Sequence, residues 1–386
     1  MKKIRLFKPS VGKEELNNIK KVFNRSWLGY GPLVNKFEKK FAGFIGTKYA
    51  VAVNSGTAAL HLSLLCNNFP KGKKVLVPSI TFSATAASVL YCGLIPKFVD
   101  VREDDLTIDF NDLKKKYSND CVALICVHMG GHPSQMEKIR PWAKRKKLIL
   151  IEDSAESCGS IYKGKKIGTW SDISCFSFEE KKIITTGDGG MICLNDKKKY
   201  EKLKSLSFHG WDTDPWKRHN KSFGKNNRFT NHWAYEIKTL GYKYNMNDLM
   251  AALGLEQLKK IKTFNYKREK ILKRYLNGIK DLKNIKPTYP YKLKNSSYWL
   301  FSVKTKFRDE LINYLKIKNI STAVHFVPLP YNKIYKKYKN NSLKNTMRVW
   351  KQIVSLPFFP DLENKKVDYI LNCLKTFDRK ISKNNI

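Results

Sequence analysis

Long apolar runs are missing from this 386-residue chain. No stretch reaches the roughly 18 residues that a membrane-spanning helix needs, so no span is expected. The opening Met1-Lys2-Lys3-Ile4-Arg5-Leu6-Phe7-Lys8-Pro9 is basic but carries no apolar segment, and it does not read as a secretory signal. Paired cysteines are missing too. Eight stand at 66, 92, 121, 126, 158, 175, 193 and 373, none in Cys-x-x-Cys spacing. This argues against a zinc site and against a disulfide scaffold. Cys126, Cys175 and Cys193 fall in apolar, strand-like runs, where reduced core cysteine is expected. A cytoplasmic location fits that usage. No internal repeat or low-complexity linker breaks the chain.

Acidic residues are scarce. Asp and Glu number 33 against 74 Lys and Arg, leaving a net charge of +41. Such an excess can bind nucleic acid through phosphate contacts. Here the lysines are spread along the chain instead of forming one basic segment with interleaved aromatics. Lysine also far outnumbers arginine, the better bidentate donor. The joint abundance of Lys, Asn, Ile, Phe and Tyr points to a general compositional bias, and no nucleic-acid partner is expected. A non-catalytic, basic nucleic-acid-binding scaffold is the reading from another class. It would give a colourless protein retained on DNA or RNA at low salt. A basic surface would also draw in anionic small substrates such as nucleotide sugars.

Hydrophobic residues make up 42% of the chain, enough for a substantial core, and the length suits two domains. Short apolar runs alternate with helical patterns between about residues 50 and 195. Strands are expected at Tyr49–Val53, Lys74–Val77, Ile95–Val101, Val122–Val127, Leu148–Glu152, Ile173–Phe178 and Gly190–Leu194. Helices are expected at Thr57–Cys66, Ala84–Tyr91 and Ser134–Arg145. This alternation predicts an α/β fold whose sheet is parallel or mixed, with ligands beyond the carboxyl ends of the strands. Residues 207–247 are aromatic, polar and irregular (His209, Trp211, Trp216, His219, Trp233, Tyr242, Tyr244). Asn247 is a candidate cap for a helix through Leu258. Further on, helices are expected at Arg268–Leu276, Arg308–Lys318 and Val367–Leu374, and strands at Tyr298–Lys304 and Ser321–Phe326. These form a second, smaller α+β domain, with the division placed at 255/256.

The chemistry-bearing residues sit at the expected strand ends. Asn54-Ser55-Gly56-Thr57 joins a strand to a helix, a turn that can present free N–H groups to a phosphate or simply be an ordinary turn capped by Thr57. Phe82 follows the next strand, where it could stack on a planar ligand or pack in the core. Asp153 comes directly after Leu148-Ile149-Leu150-Ile151-Glu152, and a carboxylate so placed needs a partner. Glu156 lies three residues on. Ser177 ends a strand, and Lys182 follows in a loop closed by Thr185-Thr186-Gly187-Asp188-Gly189-Gly190. A lysine downstream of such an aspartate suits pyridoxal phosphate (PLP) chemistry. The amine can form a Schiff base with the cofactor aldehyde, and the aspartate can keep the pyridine nitrogen protonated.

Taken in order, these motifs resemble the DegT/DnrJ group of sugar-nucleotide aminotransferases, perosamine-synthase-like members of the PLP-dependent transferases of fold type I. Further matches are Ser26-Trp27-Leu28-Gly29-Tyr30-Gly31-Pro32, Lys163–Gly168, Gly241–Met246, Ala251–Leu255 and Val324-His325-Phe326. The resemblance implies a large domain (1–255) with a central mixed, mostly parallel sheet and a smaller C-terminal α+β domain (256–386). It implies that Lys182 is the cofactor lysine and that Asp153 pairs with the pyridine nitrogen. Phe82 would stack on the ring, Gly56, Thr57 and Ser177 would hold the phosphate, and Glu156 would contact the ring hydroxyl. Lys243 stands where many relatives place an asparagine that reaches the other subunit's phosphate. Trp27 and His325 fall near the substrate in this comparison. Glu179, Glu180, Asp188 and Asn245 depart from the commoner residues.

The implied reaction is a ping-pong transamination from L-glutamate to a 4-keto-6-deoxy nucleotide sugar, in a homodimer with its active site at the subunit interface, serving amino-sugar and surface polysaccharide or glycan synthesis. Trp211–Arg218 and the Tyr242-Lys243-Tyr244-Asn245-Met246 run favour amination at C4 over C3. A nucleotide-sugar 3-dehydratase on the same scaffold is the nearest rival, but those relatives carry histidine at the position of Lys182.

Overall fold

The computed structural model describes residues 3–212, 216, 235–292, 297–339 and 343–384. Two helices come first, α1 (Lys13–Asn24) and α2 (Pro32–Ile45). Then strands and helices alternate: β1 (Tyr49–Val53), α3 (Gly56–Leu65), β2 (Lys74–Pro78), α4 (Ser83–Tyr91), β3 (Ile95–Val99), α5 (Phe110–Lys116), β4 (Cys121–Val127), α6 (Met136–Arg145) and β5 (Ile149–Asp153). A small hairpin of β6 (Ile161–Tyr162) and β7 (Lys165–Lys166) precedes β8 (Ile173–Ser177), β9 (Gly190–Leu194) and α7 (Lys197–Ser207).

Seven strands form one sheet in the order β1-β9-β8-β5-β4-β2-β3. Only β9 runs against its neighbours; it pairs antiparallel with β1 and β8, while the remaining pairs are parallel. This is the mixed, mostly parallel sheet that the alternation predicts. Its central strands are buried along nearly their whole length because helices cover both faces. Val51, Val53, Val75, Val77 and Ile151 meet α3, α4 and α7 on one face, while Leu76, Leu124 and Leu150 meet α5 and α6 on the other. A third cluster packs α2 under β8 through Phe37, Phe41, Phe176 and Phe178, with Phe41 and Phe176 edge to face at 5.1 Å. Such ring pairs add about 1 kcal/mol each beyond the burial of their area.

The second body follows α8 (Asp248–Ile279). It holds an antiparallel sheet of β10 (Lys286–Pro287), β11 (Phe301–Lys304) and β12 (Ile353–Leu356), packed by α9 (Arg308–Ile317) and α11 (Asn364–Asn384). The short α10 (Lys344–Trp350) lies between.

Three expectations change. The helices predicted to end at Leu258 and to begin at Arg268 are one 32-residue helix, α8, capped by the Asn247 side chain on the Met250 N–H at 3.0 Å. It therefore runs straight across position 255/256. Ser55, not Thr57, caps α3, accepting from the Ala58 N–H at 3.1 Å. Residues 321–326 are not a strand: Ala323 makes an isolated bridge to Ser355, and His325 and Phe326 both face one cavity. Strand alternation would have turned one of them away. His219 and Trp233, and most of the Trp211–Arg218 segment, lie outside the described residues.

Candidate active site

At the carboxyl ends of β5 and β8 a cavity of about 380 Å³ opens. Gly56, Thr57, Phe82, Asp153, Glu156, Ser177, Lys182 and His325 all line it, though they come from points spread over 270 residues of chain. Trp27 and Lys243 do not. The Trp27 indole N–H turns to the Tyr30 carbonyl at 3.0 Å, and its ring packs against Trp216. Lys243 is exposed, with its Nζ 4.2 Å from the Phe208 ring centre.

One end of the cavity is built for an anion. Gly56 is the first residue of α3, so its N–H and that of Thr57 have no partner within the helix. A Cβ at Gly56 would stand 2.8 Å from the Ser177 Cβ, so only glycine lets the helix start press against the end of β8. Ser177 thus brings a hydroxyl to the same N-terminus, and the helix dipole adds positive potential there.

The floor is Asp153, the last residue of β5, which is 5% exposed. Its Oδ2 accepts from the Thr85 hydroxyl at 2.8 Å and its Oδ1 from the Ala155 N–H at 3.2 Å. Thr81 in turn touches the Thr85 hydroxyl at 2.8 Å. Burial raises the Asp153 carboxyl above its ordinary range, and these two hydrogen bonds oppose the rise only in part. A carboxylate held this way gains by meeting a cation.

Lys182 faces this floor. Its side chain is 13% exposed, and Nζ lies 3.9 Å from Glu156 Oε1 and 4.2 Å from the Trp299 ring centre. Glu156 Oε2 accepts from the Gly130 N–H at 2.6 Å. Burial pushes the Glu156 carboxyl up to about 7, with Lys182 pulling the other way. Phe82 and Phe326 form the mouth, 5.7 Å apart and edge to face. His325 Nδ1 meets Ser355 Oγ at 2.9 Å, and burial lowers this imidazole to about 4, so it is neutral at pH 7.

The Glu156 geometry has a measurable consequence. Its folded carboxyl keeps a proton that the unfolded one has already lost, so stability falls as pH rises from about 4.5 to about 7. In cofactor-free protein, Glu156→Gln removes this loss, worth roughly 3 kcal/mol for a shift of this size. Melting curves across that pH window are expected to be flatter for the variant, which is a few degrees more stable at pH 8. Equal slopes for the two proteins would refute this account of Glu156.

The donor set fits pyridoxal phosphate: an anion-binding helix start, a buried carboxylate at the floor, an aromatic ring at the mouth and a lysine amine in the wall. The comparisons agree. The model of the DegT/DnrJ/EryC1/StrS aminotransferase family matches residues 9–375. The chain belongs to this family. It is a family of PLP-dependent sugar aminotransferases, and PLP is the cofactor of this enzyme. The chain is 35% identical to GDP-perosamine synthase of Escherichia coli O157:H7 over 386 residues, covering 98% of this chain and 99% of the other. Among solved structures, Helicobacter pylori PseC, described as an aminotransferase involved in the biosynthesis of pseudoaminic acid, superposes with a TM-score of 0.89 at 28% identity. That alignment covers 98% of this chain and all of the other. The putative sugar aminotransferase Spr1654 of Streptococcus pneumoniae, solved in PMP and PLP forms, gives TM-scores of 0.89 and 0.88 at 26% identity, with 98% of this chain and 99 to 100% of the other covered.

Sequence reasoning missed four contributors: Thr85, Trp299, Phe7 and Gly130. Thr85 was within reach, since it lies three residues after Phe82 and so faces the same side of a helix start. The other three carry no local signal.

Proposed function

We propose that this enzyme transfers an amino group from L-glutamate to C4 of a 4-keto-6-deoxy nucleotide sugar, for the synthesis of amino sugars in surface polysaccharide or other glycans. The observation that carries this reading is the shared cavity of Lys182 and Asp153 at the strand ends. The 35% identity with a GDP-perosamine synthase favours C4.

Bound PLP supplies an aldehyde that exchanges amino groups and a ring that takes up negative charge. The chain's own groups do the rest. The N–H groups of Gly56 and Thr57 and the Ser177 hydroxyl would hold the phosphate. Phe82 would stack on the ring, Asp153 would keep a proton at the ring nitrogen, and Glu156 would hydrogen-bond the ring hydroxyl. Lys182 Nζ takes and returns the proton that leaves the amino-bearing carbon. Neutral His325 offers a hydrogen bond to the sugar without competing for phosphate. In this reading residues 1–255 bind the cofactor, residues 256–386 supply Trp299 and His325, and the enzyme works as a homodimer in which Lys243 serves the partner's site.

The test is incubation of purified enzyme with L-glutamate and a set of nucleotide-linked 4-keto and 3-keto sugars, followed by mass spectrometry and NMR. The expected products are 2-oxoglutarate and a 4-amino sugar. A 3-amino product moves the specificity to C3, and a 3-deoxy sugar overturns the transfer reading in favour of dehydration.

A further inference from the structure

Two adjacent lysines, Lys181 and Lys182, both line the cavity, yet only one can serve the cofactor. We propose that Trp299 is the positioning residue that selects Lys182 over Lys181; this rests on the reading of Lys182 as the cofactor lysine. One indole handles both residues. Its Nε1–H donates to the Lys181 carbonyl at 2.8 Å, which fixes the peptide joining the two lysines. Its ring lies 4.2 Å below the Lys182 Nζ, where the π face attracts an ammonium. Lys181 is drawn the other way. Its Nζ pairs with Glu179 at 3.1 Å and Glu180 at 3.6 Å, on a side chain that is 47% exposed.

Trp299 is itself held from several sides. It is 3% exposed, and its backbone N–H donates to the Gly130 carbonyl at 3.0 Å. The Gly130 N–H holds Glu156, so one glycine sets the indole and the carboxylate that flank the Lys182 amine. Phe7 stacks on the indole at 4.9 Å with an interplanar angle of 9°. Phe7 belongs to an N-terminal strap tied down on both sides. Ile4 pairs with the backbone of Asn319 and Ser321, the Leu6 carbonyl accepts from Phe358, and the Ser10 carbonyl accepts from Gln257. Glu179 and Glu180, which break the usual family pattern before the lysine, gain a role here as tethers for the excluded amine.

The experiment traps the bound lysine. Cofactor-free protein is mixed with PLP, amine and aldehyde lose water to form a C=N bond, and borohydride hydride reduces it to a stable secondary amine. Peptide mass spectrometry then counts label at each lysine, and the absorbance change gives the rate of addition. In the natural protein the label is expected on Lys182 alone. In Trp299→Leu at least a tenth of it should move to Lys181, with addition slowed about fivefold or more. Trp299→Phe keeps a π face but loses the N–H donor, and an intermediate shift is expected. Glu179→Gln combined with Glu180→Gln releases Lys181 without touching the indole and should raise its share further in the Trp299→Phe background, so the test survives if Trp299→Leu fails to fold. A purely structural Trp299 would lower the melting temperature without redistributing label. Label confined to Lys182 at the natural rate in folded Trp299 variants overturns the selection and leaves the lysine assignment standing. Label absent from Lys182 in the natural protein overturns both.

Discussion

Lys182→Ala is expected to lower the rate of amino transfer, read as 2-oxoglutarate release from the proposed donor glutamate, by roughly three to four orders of magnitude, the range that a positioned acid–base group supplies. The change deletes the one amine among the described residues that Trp299 and Glu156 both face. It leaves the surroundings otherwise intact, because the Trp299 indole N–H still binds the carbonyl of residue 181. The fold should survive. The Lys182 ammonium pulls the buried Glu156 carboxyl toward ionisation, and without it that carboxyl stays protonated to higher pH, which removes a buried charge. Lys182→Arg keeps a cation but supplies no base at neutral pH, so it should be as inactive as alanine. Rapid-quench measurement of a single turnover decides the matter. A variant within tenfold of the natural rate would remove Lys182 from the chemistry.

The second large effect belongs to Asp153. Asp153→Asn should reduce turnover by about a hundredfold or more, because an amide cannot hold a proton on the ring nitrogen. Thr85 can still donate to the amide oxygen, so the local geometry survives. The expected stability change has the opposite sign. Burial raises the Asp153 carboxyl, so the cofactor-free fold loses stability as pH rises from the ordinary carboxylate range toward the raised value. The asparagine variant escapes it. Without cofactor it should melt higher than the natural protein at pH 7, while holding PLP less tightly. Calorimetry with and without PLP reads both quantities. A variant that is both less stable when empty and undiminished in activity would contradict the role of the carboxylate. Such an inverse relation between stability and activity is common where a site buries charge for a ligand.

Much of this site is legible in the sequence because of where parallel strands end. Gly56, Phe82, Asp153 and Ser177 each follow or close an apolar run, and the sheet brings those ends to one edge. Local pattern therefore carries long-range information. The fold class is legible for the same reason. Trp299 and Phe7 are not, because Trp299 reaches Lys182, and Phe7 reaches Trp299, by packing from elements more than a hundred residues away. Trp27 is the converse case. It sits in a matching motif, yet a Cβ on Gly31 would stand 2.6 Å from its indole nitrogen, which shows how closely that turn wraps the ring, away from the cavity. The helix split expected between Leu258 and Arg268 reflects the run Lys259–Lys267, whose polar surface hides the continuing apolar stripe of Ile261, Phe264, Ile271 and Tyr275.

That stripe makes α8 an unbroken rod about 48 Å long. It leaves the loops near the cofactor and ends deep in the second body, with no proline and no kink on the way. A rod of stacked peptide hydrogen bonds bends reluctantly, so it acts as an axle that keeps the two bodies in fixed attitude. Admission of the sugar substrate then falls to the lip of the cavity: the 179–189 loop on one side and His325 and Phe326 on the other.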